Sequence, residues 1–172
     1  EPFDDNLDTK EEIAKEKDKE KGKDKEKIYD FYTLNHNGES VRFLNLGIDN
    51  YNLERTQRLI DDGNIIATVT TFDPNDNEIT YFAGHTYNFN GVQTLGVGSK
   101  VIVSDEDGKG YAYKIIDMKK YPAGEVENDA PFIGGYHLID LVGDGIGVES
   151  IAIQYCDAND VPMIFFGLPI NE

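Results

Sequence analysis

At 172 residues and 39% hydrophobic content, the chain holds material for one folded domain with a tail, and little room for two. It carries 33 acidic against 16 basic residues, a formal net charge of −17. That field repels phosphate backbones and anionic lipid heads, and so speaks against nucleic-acid binding and polybasic membrane docking. A single cysteine, Cys156, excludes an internal disulfide framework and a Cys-built zinc site, but leaves a catalytic thiol open.

Residues 1–27 read as a charged spacer, flexible or partly helical. From Asp8 to Lys27 there are eight acids and eight lysines, with Ile13 and Ala14 the only apolar side chains, so nothing can be buried. The spacer is close to neutral, and the excess negative charge falls on 28–172, the expected folded domain. No stretch reaches the roughly 18–20 apolar residues of a membrane helix. The chain begins with Glu and shows no signal peptide, as a processed ectodomain or a trimmed chain would.

From Ile28 onward, short strands alternate with turns. Val41–Leu44 predicts an early strand, and Arg55–Ile60 a short helix closed by Asp61-Asp62-Gly63. Ile65–Thr70 is β-branched and strand-like, Asp73–Asn77 is a turn, and Ile79–Ala83 resumes a strand. Val101–Ser104 and Tyr111–Ile116 flank Asp105-Glu106-Asp107-Gly108, a strong hairpin signal. After the Gly-rich stretch Tyr121–Glu149, expected to be a mobile flap, come strands at Ser150–Tyr155 and Met163–Phe166. Many short strands and one or two helices describe an all-β barrel or sandwich. Asp73–Glu78 carries oxygens at alternating positions but lacks the glycine of a calcium loop, so it reads as a turn.

Cys156 is a candidate nucleophile if a base reaches it. Of the three histidines, His36 is expected to be exposed and His137 falls in the flap, while His85 ends an apolar strand after Gly84, which lets the backbone bend. Cys156 also ends an apolar strand. On residue types alone a small buried thiol and a satisfied turn histidine is the favoured reading of the pair, with a nucleophile and base the alternative.

Four segments, in order, carry a resemblance. Leu46-Gly47-Ile48-Asp49, Tyr81-Phe82-Ala83-Gly84-His85, the run Thr94–Val103 with Gly108 and Tyr111–Ile115, and Ile153-Gln154-Tyr155-Cys156 resemble motifs of the sortases, cysteine transpeptidases of Gram-positive cell walls. Seventy-one positions separate His85 from Cys156, as that pattern requires. The resemblance implies a closed sortase-like β-barrel of about eight strands, with His85 and Cys156 catalytic. It implies a thioester formed on a cell-wall sorting signal of surface proteins and passed to an amine acceptor, with no metal or cofactor. It also implies a monomer on the extracellular face of the membrane, held by an anchor outside these residues.

One departure stands out. The family's arginine after the cysteine is missing: its position falls near Pro162 or Met163, and no Lys or Arg follows Lys120. His137, Tyr136, Tyr155 and the backbone N–H groups after Cys156 are the candidate replacements. Loss of an oxyanion donor costs about 10²–10³ in rate, so a domain that binds a peptide or partner without turnover is the alternative, and a simple cysteine hydrolase a third.

Overall fold

The computed structural model describes residues 28–46, 53–122, 132–138, 140–141 and 145–171. The 1–27 spacer, the Gly47–Asp49 part of the first motif and much of the flap lie outside the described residues. Eight strands form a closed barrel: β1 (Thr33–His36), β2 (Glu39–Leu44), β3 (Ile66–Thr68), β4 (Ile79–Ala83), β5 (Lys100–Ser104), β6 (Gly110–Lys120), β7 (Ser150–Cys156) and β8 (Pro162–Pro169). Their order around the barrel is β1-β2-β3-β4-β7-β8-β6-β5. Helix α1 (Leu53–Gly63) connects β2 to β3, and a 3₁₀ turn (Thr86–Phe89) follows β4. The mainly β, closed eight-strand architecture expected from the sequence is therefore the one observed.

Alternation along the strands divides the core. Phe82, Ile151, Ile153 and Tyr155 point inward and pack with Leu34, Phe43, Val101, Val103, Tyr113 and Phe165. Their sequence neighbours Tyr81 and Ala152 point outward, into a second cluster with Ile164, Phe166, Ile133 and Leu141. The described part of the flap is thus packed: Ile133 and Leu141 are buried against the outer wall. Each fully buried aliphatic or aromatic side chain contributes about 1.5–3 kcal/mol, which explains why a closed sheet needs so little helix.

Several details differ from expectation. Asp61-Asp62-Gly63 belongs to α1 rather than closing it, because the helix runs on until Asn64 takes positive φ. β6 is longer than read and bulges between Ile115 and Asp117. The hairpin after β5 is as read: Asp105 Oδ1 accepts the N–H groups of Asp107 and Lys109, both at 2.9 Å, and Gly108 has φ +80°. At Asp73–Glu78 the carboxylates of Asp73 and Asp76 cap backbone N–H groups two residues on, the Asx pattern of a turn.

Candidate functional site

β4 and β7 run parallel, with Ala83 opposite Gln154, and the Gly84 N–H continues the ladder to the Gln154 carbonyl at 3.3 Å. Both strands therefore end at one rim, and His85 and Cys156 follow in step. The face is shared too: Tyr81 and Ala83 on β4 and Ala152 on β7 lie on the outer wall, and strand alternation carries His85, Gln154 and Cys156 onto that side. Thr86 ties the two ends together. Its hydroxyl donates to the Cys156 carbonyl at 2.7 Å and accepts the Cys156 N–H at 3.2 Å.

Gly84 earns its place by space, not by bending. A Cβ there would stand 3.1 Å from both Ile66 and Phe89 and 3.3 Å from the Ile66 backbone. His85 itself is extended, at φ −72° and ψ 150°. Its N–H donates to Asn88 Oδ1 at 3.2 Å, and its carbonyl accepts the Asn88 N–H at 2.9 Å. The imidazole stacks on the exposed Tyr87 ring, with centroids 5.4 Å apart and planes 12° apart. Tyr87 and Asn88 in turn bind Asn64 at the end of α1, at 2.8 and 2.6 Å.

His85 Nε2 meets Asp61 Oδ1 at 2.8 Å. A carboxylate only accepts, so Nε2 carries hydrogen and Nδ1 is left as the nitrogen that can take or give a proton. The helix that continued past its expected end is what delivers Asp61.

Cys156 is partly buried and free of disulfide. Burial pushes its thiol up, and the carboxylates of Asp160 and Asp157 push it further. Of the groups considered as replacements for the missing arginine, the Tyr155 hydroxyl and several N–H groups of the loop after Cys156 are engaged elsewhere. Tyr155 points into the barrel, 2% exposed, with its hydroxyl on the Gln93 carbonyl at 2.7 Å. Within the loop after Cys156, Asn159 and Val161 donate to Asp157 Oδ1 at 2.8 and 3.0 Å, and Asp157 to the Val161 carbonyl at 2.8 Å. Tyr136 packs on Phe166, with ring centroids 5.7 Å apart. The His137 N–H donates to Asp140 Oδ2 at 3.2 Å.

His36 is not exposed, contrary to expectation. It is buried at 6% exposure, with Nδ1 3.0 Å from the Lys100 carbonyl, because β1 pairs with β5 and draws the ring under that strand's start. β1 stands four strands from β7 in the closed order, so His36 belongs to another wall. The β4–β7 register brings the backbones of His85 and Cys156 to one rim and leaves His36 on another wall.

The sequence reading passed over Asp61, Thr86, Tyr121 and Gln154, and noted Lys120 only as the last cation. The hydroxyl of Tyr81 donates to Gln154 Oε1 on the outer wall. The Lys120 ammonium reaches Asp157 Oδ2 at 3.0 Å. Only the strand register links residues so distant in sequence, though the parity of Gln154 with Cys156 was a usable signal.

No family model and no curated protein sequence matches the chain. Among solved structures it is similar to a sortase D5 transpeptidase of Clostridium perfringens, with TM-score 0.52 and 16% identity over 94% of this chain and 95% of that one. It is also similar to sortase A of Listeria monocytogenes, with TM-score 0.52 and 13% identity over 81% and 86% of the two chains. Sortase C1 of Streptococcus agalactiae aligns with TM-score 0.51 and 12% identity over 81% and 67%. At such identities the likeness is one of architecture. The barrel, with its strand order and its parallel β4–β7 pair, is the sortase fold.

Proposed function

We propose that the protein is a sortase-like cysteine transpeptidase that cleaves a sorting-signal peptide and transfers it to an amine. The observation supporting this reading is the parallel pairing of β4 and β7, whose register runs to Ala83–Gln154 and the Gly84 N–H on the Gln154 carbonyl, so that the strands leading to His85 and Cys156 end at one rim. The Cys156 thiol would pass its proton to His85 Nδ1 as the sulfur attacks the substrate's peptide carbonyl; an S–C bond forms, the C–N bond breaks, and His85 gives that proton to the leaving amine. An incoming amine then attacks the thioester, a C–N bond forms as S–C breaks, and the amine's proton passes to His85. Water in place of the amine gives hydrolysis. Asp61 holds the imidazole by Nε2 throughout. An acidic barrel favours a cationic amine as acceptor, and the fold agrees with action outside a Gram-positive cell from a membrane anchor.

A second reading is a domain that kept the barrel and binds a peptide without turnover. The raised Cys156 thiol, flanked by two carboxylates, favours it.

Fluorogenic sorting-signal peptides, incubated with and without a primary amine, separate the two. The transpeptidase releases the leaving group, accumulates a thioester visible by intact mass, and forms amide product with the amine; Cys156→Ala abolishes all three. Release that survives Cys156→Ala overturns the thiol mechanism. Binding with no release and no thioester selects the second reading.

A further inference from the structure

A thiolate at Cys156 would form beside the carboxylates of Asp157 and Asp160, with the N–H groups of Asp157, Asn159, Asp160 and Val161 already bonded within the loop. The groups that could offset that charge come from the end of β6. In the β6–β8 register Lys120 stands opposite Met163, and in the β7–β8 register Met163 stands opposite Tyr155. The Lys120 side chain spans β8 and places its ammonium on Asp157 Oδ2 at 3.0 Å. Together with the N–H groups of Val161 and Asn159, it holds the Asp157 carboxyl below its usual range.

The next residue, Tyr121, leaves the strand with its N–H on the Pro162 carbonyl at 3.0 Å. Pro162 is the register partner of Cys156, so Tyr121 lies level with Cys156, with β8 between them. It belongs to the outer-wall cluster with Tyr81, on the face that carries Gln154 and Cys156. Its ring stands edge-on to Phe132, with centroids 5.7 Å apart, which fixes its direction. Burial raises the phenol, and the Cys156 charge raises it again. A phenolic hydrogen turns about its C–O bond toward whichever acceptor carries most charge.

We propose that Lys120 and Tyr121 divide between two consecutive residues the stabilisation of negative charge at Cys156. Lys120 is a positioning residue that cancels Asp157, and the Tyr121 hydroxyl is the donor to the sulfur and to the oxyanion built on it. The titratable groups around Cys156 are then Asp157 and Asp160 from the β7–β8 loop, Lys120 at the end of β6 and Tyr121 just after it, with Tyr81 and His85 on the outer-wall side of β4 and its extension. The oxyanion role deepens the transpeptidase reading and rests on it; the thiolate role does not.

Cys156 is the single cysteine of the chain, so the rate of iodoacetamide alkylation against pH reads it alone. Lys120→Gln should move the midpoint upward and slow alkylation at pH 8 about three- to tenfold, the change in thiolate fraction for half to one pH unit. Lys120→Arg should restore the wild-type profile. Tyr121→Phe, which keeps the ring, should move the midpoint upward, and Asp157→Asn should move it downward. Lys120→Gln and Tyr121→Phe profiles that both overlay the wild type, or an upward shift in Asp157→Asn, overturn the proposal. Shifted profiles in a protein that cleaves no sorting peptide would end the transpeptidase reading alone; peptide cleavage with unshifted profiles would end this one alone.

Discussion

Both rims of the barrel are acidic, and they handle the charge in opposite ways. At the Cys156 rim the carboxylate of Asp157 keeps its charge, because backbone N–H groups and Lys120 bind it. At the far rim Glu149, just before β7, accepts the Tyr113 hydroxyl at 2.8 Å. Burial pushes its carboxyl up, the Tyr113 bond opposes this, and Asp76 and Asp73 push it further, to about 7. Crowded acids thus settle either by pairing or by holding a proton. The first solution leaves a field beside the thiol that a nearby substitution can tune; the second leaves a group that responds to pH near neutrality.

The largest expected effect tests whether the two rims are functionally separate. Removing the proton carrier with His85→Gln should lower peptide cleavage about 10²–10⁴-fold, the usual contribution of a positioned general acid or base. Glu149→Gln, at the other end of the same strand, should leave turnover within about twofold of wild type, since the strand between is closed by its own ladder. Steady-state kinetics on both variants decide the matter. A comparable loss in Glu149→Gln would break the division between a chemical and a structural rim.

The next effect is on stability. The folded-state carboxyl of Glu149 is raised from 4.5 to about 7, so the native state binds its proton more tightly than the unfolded chain does. Stability from this group is full below about 4.5 and is lost as pH rises through about 7. Because the side chain is half-buried, solvent screening reduces the loss to about 1–2 kcal/mol. Glu149→Gln keeps an acceptor for Tyr113 and never ionises. Its urea midpoint should match wild type at pH 4 and exceed it at pH 8. A difference of the same size at both pH values would show that packing, not proton binding, governs this rim.

How far these rims can be read from sequence differs. Strand alternation in Ile151–Cys156 and Ile79–Ala83, with polar turns after each, was enough for a mainly β barrel or sandwich with His85 and Cys156 at strand ends, because inward and outward parity is local information. The closed eight-strand barrel came from the family resemblance. Asp61 was not legible, since whether a helix stops at Ile60 or runs to Gly63 depends on the tertiary contact it makes, here with His85. Lys120 and Tyr121 were invisible as partners of Cys156 because their proximity depends on the β6–β8–β7 register, a long-range pairing set around a closed barrel. His36 was misread for the same reason: a polar residue beside an Asn-Gly turn looks solvated until β5 is laid over it.

Tyr155 gives the smallest effect and the sharpest test of that parity. It adjoins Cys156 in sequence, yet its ring lies inside the barrel, stacked on Phe165 with centroids 5.1 Å apart and tilted against Phe89 at 5.0 Å. Its hydroxyl holds the Gln93 carbonyl at 2.7 Å, and burial pushes the phenol up to about 12. Tyr155→Phe keeps both ring contacts and removes one buried hydrogen bond, leaving the Gln93 carbonyl to find another donor. The expected loss is about 1 kcal/mol in urea unfolding. The alkylation profile of Cys156 should not move, because the hydroxyl faces away from the sulfur through the sheet. A shift as large as that expected for Tyr121→Phe, which is distant in sequence but shares the outer wall with Cys156, would overturn the assignment of the two residues to opposite faces.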